Sequence, residues 1–174
     1  MAALNHKIDF LALISVTKAN SNGDPLNGNR PRTDYNGMGE ISDVCIKRKI
    51  RNRMQDLGNA IFVQSDDRCD DGFKSLSERA AAATKGIKDS DKDAYTQLVC
   101  EKWMDVRSFG QVFAFKGLKD PIGVRGPVSI HQAVSVSPVE IEEMQITKSV
   151  NGEPKATRSS DTMGRKHFVR FGLY

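Results

Sequence analysis

Residues 20–39 read NSNGDPLNGNRPRTDYNGMG, with four glycines, two prolines and a scatter of Asn and Asp. No regular helix or long strand is expected through such a stretch, because Gly, Asn and Asp favour turns and positive-φ positions and Pro removes a backbone donor. A loop of this length exceeds a mere connection and is of the size that usually serves a function. Upstream, residues 8–19 (IDFLALISVTKA) are rich in β-branched and large apolar residues without helical spacing, which predicts a buried strand. Downstream, Ser42 or Asp43 can cap a helix to Leu57, since Ile46, Ile50, Met54 and Leu57 fall on one stripe and Gly58 supplies a stop. The order is therefore strand, long loop, helix.

That helix carries Lys47, Arg48, Lys49, Arg51 and Arg53 on its remaining faces. A solvated face is the ordinary meaning of a charge run. Within this run, acidic partners at i,i+4 are missing, which favours an anion-binding face.

Further on, residues 59–64 (NAIFVQ) predict a short second strand, and residues 65–74 (SDDRCDDGFK) an exposed acidic loop. Asp66, Asp67, Asp70 and Asp71 lack the alternating spacing of a calcium loop. Residues 76–84 and 93–105 predict helices, with Trp103 packing one of them onto a sheet. Strand character resumes over residues 106–115 (VRSFGQVFAF), where RSFGQV matches the RNP1 signature only in part and a core-facing aromatic row accounts for the same residues. Residues 127–136 predict a strand or strand pair, with His131 as a hydrogen-bonded sheet residue. Asn151-Gly152 between β-prone flanks signals a hairpin lined by Lys148, Lys155, Arg158, Arg165 and Lys166. The last residues, HFVRFGLY, form an apolar strand-like run that suggests a truncated chain.

Composition narrows the function classes. A length of 174 residues fits one domain, and 39% hydrophobic with 28% charged residues suits a soluble globular chain. The longest apolar run falls far short of the roughly 20 residues of a spanning helix, and no secretory signal is legible, so the cytoplasm is the expected location and no membrane partner is expected. Cys45, Cys69 and Cys100 form no C-x-x-C and the three histidines stand apart, so reduced thiols and no metal or other cofactor are expected. Gly23 and Gly28 have phosphate-loop spacing, but Asn29 and Arg30 follow where Lys and Ser or Thr are required. No nucleophile elbow occurs and nothing nominates a carboxylate pair. The net charge of +4 points to a polyanionic partner.

The segments NSNGDPLNGNRPRTD, ISDVCIKRKIRN, DVRSFGQVFAF, VRGPVSIHQAVSV and MGRKHFVRFGLY together resemble the backbone subunit of type I-C CRISPR Cascade, in the repeat-associated RNA-binding superfamily. The resemblance implies an α+β fold: an RRM-like (ferredoxin-like) palm over residues 1–174, with a helical finger insertion at 64–105 and a thumb β-hairpin at 144–167, incomplete at its C-terminal end. It implies a non-catalytic guide-RNA (crRNA) binding subunit that multimerises along the RNA and presents it to target DNA in antiviral defence. The implied partners are crRNA, target DNA through the guide, other copies of the chain and other Cascade subunits.

By the same resemblance Asn22, Arg30 and Arg32 lie in the RNA-facing loop, Lys47, Lys49 and Arg51 on the helix that meets guide phosphates, and Ser129 and Gln132 in the matching GPVSIHQ segment. Lys148, Arg165 and Lys166 belong to the thumb, with Met163 as a wedge beside a displaced nucleotide; Arg107 and Arg125 add cations at strand ends. A backbone-only interface suits a protein that must accept any guide sequence. The alternative is a metal-dependent endoribonuclease using Asp24 or Asp34, residues whose sequence settings equally suit Asx-turns.

Overall fold

The computed structural model describes residues 4–87, 91–116, 118–147 and 163–174. Among these the strands are β1 (Ser15–Ala19), β2 (Gly23–Asp24), β3 (Arg30–Pro31), β4 (Met38–Ile41), β5 (Gly110–Phe113), β6 (Ile122–Arg125), β7 (Ala133–Pro138), β8 (Ile141–Thr147) and β9 (Met163–Leu173). The helices are α1 (Asp43–Asp56), α2 (Leu76–Ala83), α3 (Lys92–Lys102) and α4 (Met104–Phe109). Mixed helix and sheet is thus the observed class. None of the described helices is long and apolar enough to cross a membrane. The chain divides into two compact units, residues 1–42 with 132–174, and residues 43–131. The 64–105 segment lies wholly inside the second unit, which starts at Asp43.

In the first unit, β9 is the middle of an antiparallel sheet ordered β1-β9-β8. It pairs with β1 from Ser15↔Leu173 to Ala19↔Val169 and with β8 from Ile141↔Val169 to Thr147↔Met163. Val16, Phe168 and Val169 are buried on it. The strand expected over residues 8–19 begins only at Ser15. The Ile14 and Tyr174 backbones still exchange two hydrogen bonds, but residues 4–13 have no ladder partner among the described residues, and Ile8, Phe10, Leu11 and Leu13 are exposed. Within β1, Lys18 has φ +47, so the ladder skips from Thr17 to Ala19.

The loop of residues 20–39 is more regular than expected. Asp24 caps a 3-10 turn over Pro25–Asn27, and β2 and β3 pair antiparallel around it. β4 pairs with β7, with a register shift between Met38 and Glu40 where the Gly39 N–H turns to the buried Ser135 hydroxyl at 2.8 Å. Gly39 is required there, since a Cβ would lie 2.3 Å from the Tyr174 hydroxyl.

In the second unit the core gathers Phe62, Tyr95, Val99, Trp103, Val106, Phe113, Ile122 and Val124. The Phe62 ring stands 4.7 Å from Trp103 and 5.1 Å from Phe113, in tilted contacts. Four expectations for residues 59–136 are not met. Residues 59–64 form no strand: the Phe62 and Val63 N–H groups donate to the fully buried Asp105 carboxylate at 2.7 and 3.0 Å in place of a ladder. The helix expected to run to residue 105 breaks at Trp103, which is extended (φ −118, ψ 119). The strand expected over 106–115 is half helix, because α4 ends at Phe109 and β5 starts at Gly110 with φ +76. The RNP1-like fragment is therefore split across that junction. Finally, the strand expected from residue 127 begins at Ala133, and His131 is exposed outside any strand.

Candidate nucleic-acid interface

On α1 the five cations divide by environment. Lys47 pairs with Asp43 at 3.0 Å, an i,i+4 partner one turn earlier that holds the Asp43 carboxyl below its ordinary value; the basic run is thus compensated at its start. Arg48 donates to the Val63 carbonyl at 2.7 Å, and burial pushes its guanidinium pKa down. Arg51 Nε donates to Asp105 Oδ2 at 2.9 Å, and its guanidinium lies over the Phe109 ring, 5.2 Å from the centroid. Expected to meet RNA, the Arg51 side chain is instead 13% exposed and holds a core carboxylate. Lys49 and Arg53 are exposed, with no ion pair to a described residue. The sequence marks the helix as basic, but which cations are free follows from the partners each one meets: Asp43 for Lys47, the Val63 carbonyl for Arg48 and Asp105 for Arg51.

Elsewhere in this unit, Arg107 is exposed and donates to the Cys100 carbonyl at 3.1 Å. Arg125 lies on β6 opposite Gly110, exposed, and Ser129 is exposed beyond it. The acidic loop is organised rather than idle. Asp71 receives the Nε and Nη2 of buried Arg79 at 2.5 and 2.8 Å, which holds its carboxyl down at about 2. Arg68 pairs with Asp56.

In the first unit, Asn22 braces the loop: its Oδ1 accepts from the Ser42 N–H and hydroxyl, both at 2.9 Å, and its carbonyl accepts from the Arg32 N–H. Arg32 pairs with Asp24 at 3.3 Å. Asp24 also accepts from the Leu26 N–H, and Asp34 accepts from the Asn36 and Met38 N–H groups at 2.8 and 2.9 Å, so both carboxylates serve turns. Gln132 donates to Glu40 at 2.8 Å.

The hairpin sorts its candidates by strand parity, since side chains alternate faces and register partners share one. Met163, Arg165 and His167 share a face with Thr147, Gln145 and Glu143, whereas Lys166 sits opposite Met144 on the other. Met163 is 68% exposed. Arg30, from β3, reaches the first face and pairs with Glu143 at 3.0 Å. Lys148 and the Asn151-Gly152 turn lie outside the described residues. Sequence reasoning missed Glu143: an acid in a basic hairpin looks like ordinary surface until the register sets it against Arg165 and His167.

The family model for CRISPR-associated protein Cas7 matches residues 6–174. A CRISPR-associated protein Cas7 from Haloferax volcanii is 32% identical over 169 residues, covering 82% of this chain. The chain belongs to the Cas7 family. It spans 46% of the length of that Cas7 relative. Among solved structures, a chain of a CRISPR RNA-guided surveillance complex, pre-nicking, is similar with TM-score 0.46 at 16% identity, over 93% of this chain and 61% of that one.

Proposed function

We propose that this Cas7-family chain is a non-catalytic, crRNA-binding backbone subunit of a type I-C-like CRISPR surveillance complex, several copies of which line one guide RNA in the cytoplasm and present it for pairing with target DNA. The observation that carries the reading is the Cas7 match across residues 6–174. Chemistry on the surface supports it: Lys49 and Arg53 on α1, Arg125 on β6 and Lys166 on β9 are exposed cations without ion pairs to described residues, suited to phosphates rather than base edges. On this reading β8 and β9 are the stem of the thumb, the sheet β1-β9-β8 belongs to an RRM-like palm, and Arg30, Arg165 and Met163 approach the RNA from one face. Engagement of Asp24 and Asp34 by turn N–H groups supports the absence of a cleavage role.

The test is the nucleic-acid content and size of the purified protein. A discrete small RNA protected in regular steps, together with RNA-dependent growth in assembly size, is the expected result. A nucleic-acid-free monomer that stays monomeric when guide RNA is added at low salt overturns the reading.

A further inference from the structure

On the hairpin face one carboxylate gathers three partners. Glu143 Oε2 lies 3.0 Å from Arg30 Nη2 and 3.6 Å from His167 Nδ1, and Glu143 Oε1 lies 3.1 Å from Arg165 Nη1. The cluster draws on three strands: Arg30 comes from β3, Glu143 from β8, and Arg165 and His167 from β9. His167 is buried and its Nδ1 has no hydrogen-bond partner, so the imidazole walls the cluster on one side, while Arg165 is 73% exposed on the other.

Two guanidiniums thus converge on a single two-oxygen anion. A phosphodiester also offers two equivalent oxygens and one negative charge, the geometry that arginine forks recognise. We infer that Glu143 is a resident counter-anion in a phosphate-binding fork made by Arg30 and Arg165, and that RNA docks on this face by displacing it. The inference rests on the guide-RNA reading above. It adds a residue that opposes binding where the proposed interface otherwise holds only residues that favour it.

The sign of the effect follows from exposure. The Glu143, Arg30 and Arg165 side chains are each more than a third exposed, so their ion pairs hold the arginines only weakly. A carboxylate left beside an arriving phosphate repels it whichever arginine holds that phosphate. Removing the charge therefore frees more attraction than it loses order. With the carboxylate gone both arginines can neutralise phosphates, so more of the counterions condensed on the RNA are released on binding, which steepens the salt dependence.

The test uses the full chain and a labelled single-stranded RNA of mixed sequence, titrated across a salt series. Glu143→Gln keeps the shape and removes the charge; it is expected to tighten binding about three- to tenfold and to steepen the salt slope. Arg165→Ala in the Glu143→Gln background is expected to cancel the gain. A thermal melt of each variant confirms folding, and should Glu143→Gln melt early, Glu143→Ala, which also removes the charge, takes its place in the titration and is expected to show the same tightening. Unchanged or weaker RNA binding by a folded Glu143→Gln chain overturns this inference and leaves the guide-RNA reading standing. A wild-type chain that shows no salt-dependent RNA binding overturns both.

Discussion

Arg51 and Asp105 are joined at 2.9 Å beneath α1, with Asp105 fully buried and also accepting from the Phe62 and Val63 N–H groups. A buried carboxylate stripped of its guanidinium keeps its desolvation cost and loses its counter-charge. Arg51→Met is therefore expected to lower unfolding free energy by about 2–4 kcal/mol, whereas Lys49→Ala stays within about 0.5 kcal/mol. Urea denaturation midpoints of the two variants check this.

Lys49 and Arg53 carry the opposite expectation. Replacing both with Ala leaves stability nearly unchanged but weakens RNA binding and shallows the plot of log affinity against log salt, by about 0.7 for each phosphate that is no longer neutralised. Filter binding at several salt concentrations reads both quantities, and an unaltered slope removes α1 from the interface.

The contrast between these neighbours shows how far the sequence could be read. α1 was legible to within a residue at each end because Ile46, Ile50, Met54 and Leu57 keep one stripe and Gly58 closes it. The roles of Arg48 and Arg51 were not, because they depend on the Val63 carbonyl and on Asp105, 54 residues beyond Arg51. The same acid hid the conformation of residues 59–64, whose strand-like composition is satisfied by a carboxylate in place of a neighbouring strand. Short local patterns do not encode such long-range donors and acceptors. The antiparallel partnership of β8 and β9 agrees with the β-prone character of both strands, whereas the Asn151-Gly152 turn signal lies outside the described residues; the capture of Arg30 and Arg165 by Glu143 depends on register, which becomes visible only once the strands are paired.

Asp71 gives a pH signature. Its carboxyl is lowered from 3.8 to about 2, first through the Arg79 hydrogen bonds. A depressed carboxylate contributes stability above its unfolded pKa, and that stability is lost as pH falls through roughly 4 towards 2. Because Asp71 is partly exposed, the contribution is discounted to about 1 kcal/mol. Asp71→Asn is expected to reduce stability at pH 6 and to make a progressively smaller difference as the pH falls from about 4 towards 2, as read by chemical denaturation across that range.

Gly110 tests the helix-to-strand junction. Its φ of +76 disfavours any side chain, and a Cβ would sit 2.5 Å from the Val124 carbonyl oxygen. Gly58 has φ +79 with open space around it. Gly110→Ala is expected to cost more than about 2 kcal/mol and Gly58→Ala about 1 kcal/mol. Calorimetric unfolding of the pair separates steric overlap from backbone conformation, and equal costs would mean that β6 yields at this point.

β9 is at once the return arm of the hairpin and the middle of its sheet, with Val169 facing Ile141 on one side and Ala19 on the other. A hairpin on a dedicated pair of strands flexes alone. This one is a lever whose fulcrum is the sheet itself: fraying that starts at Thr147↔Met163 can travel only as far as Val169 before it also unties β1. Whatever grips the Thr147↔Met163 end of β8 and β9 therefore slows amide exchange in β1, a strand it need not touch.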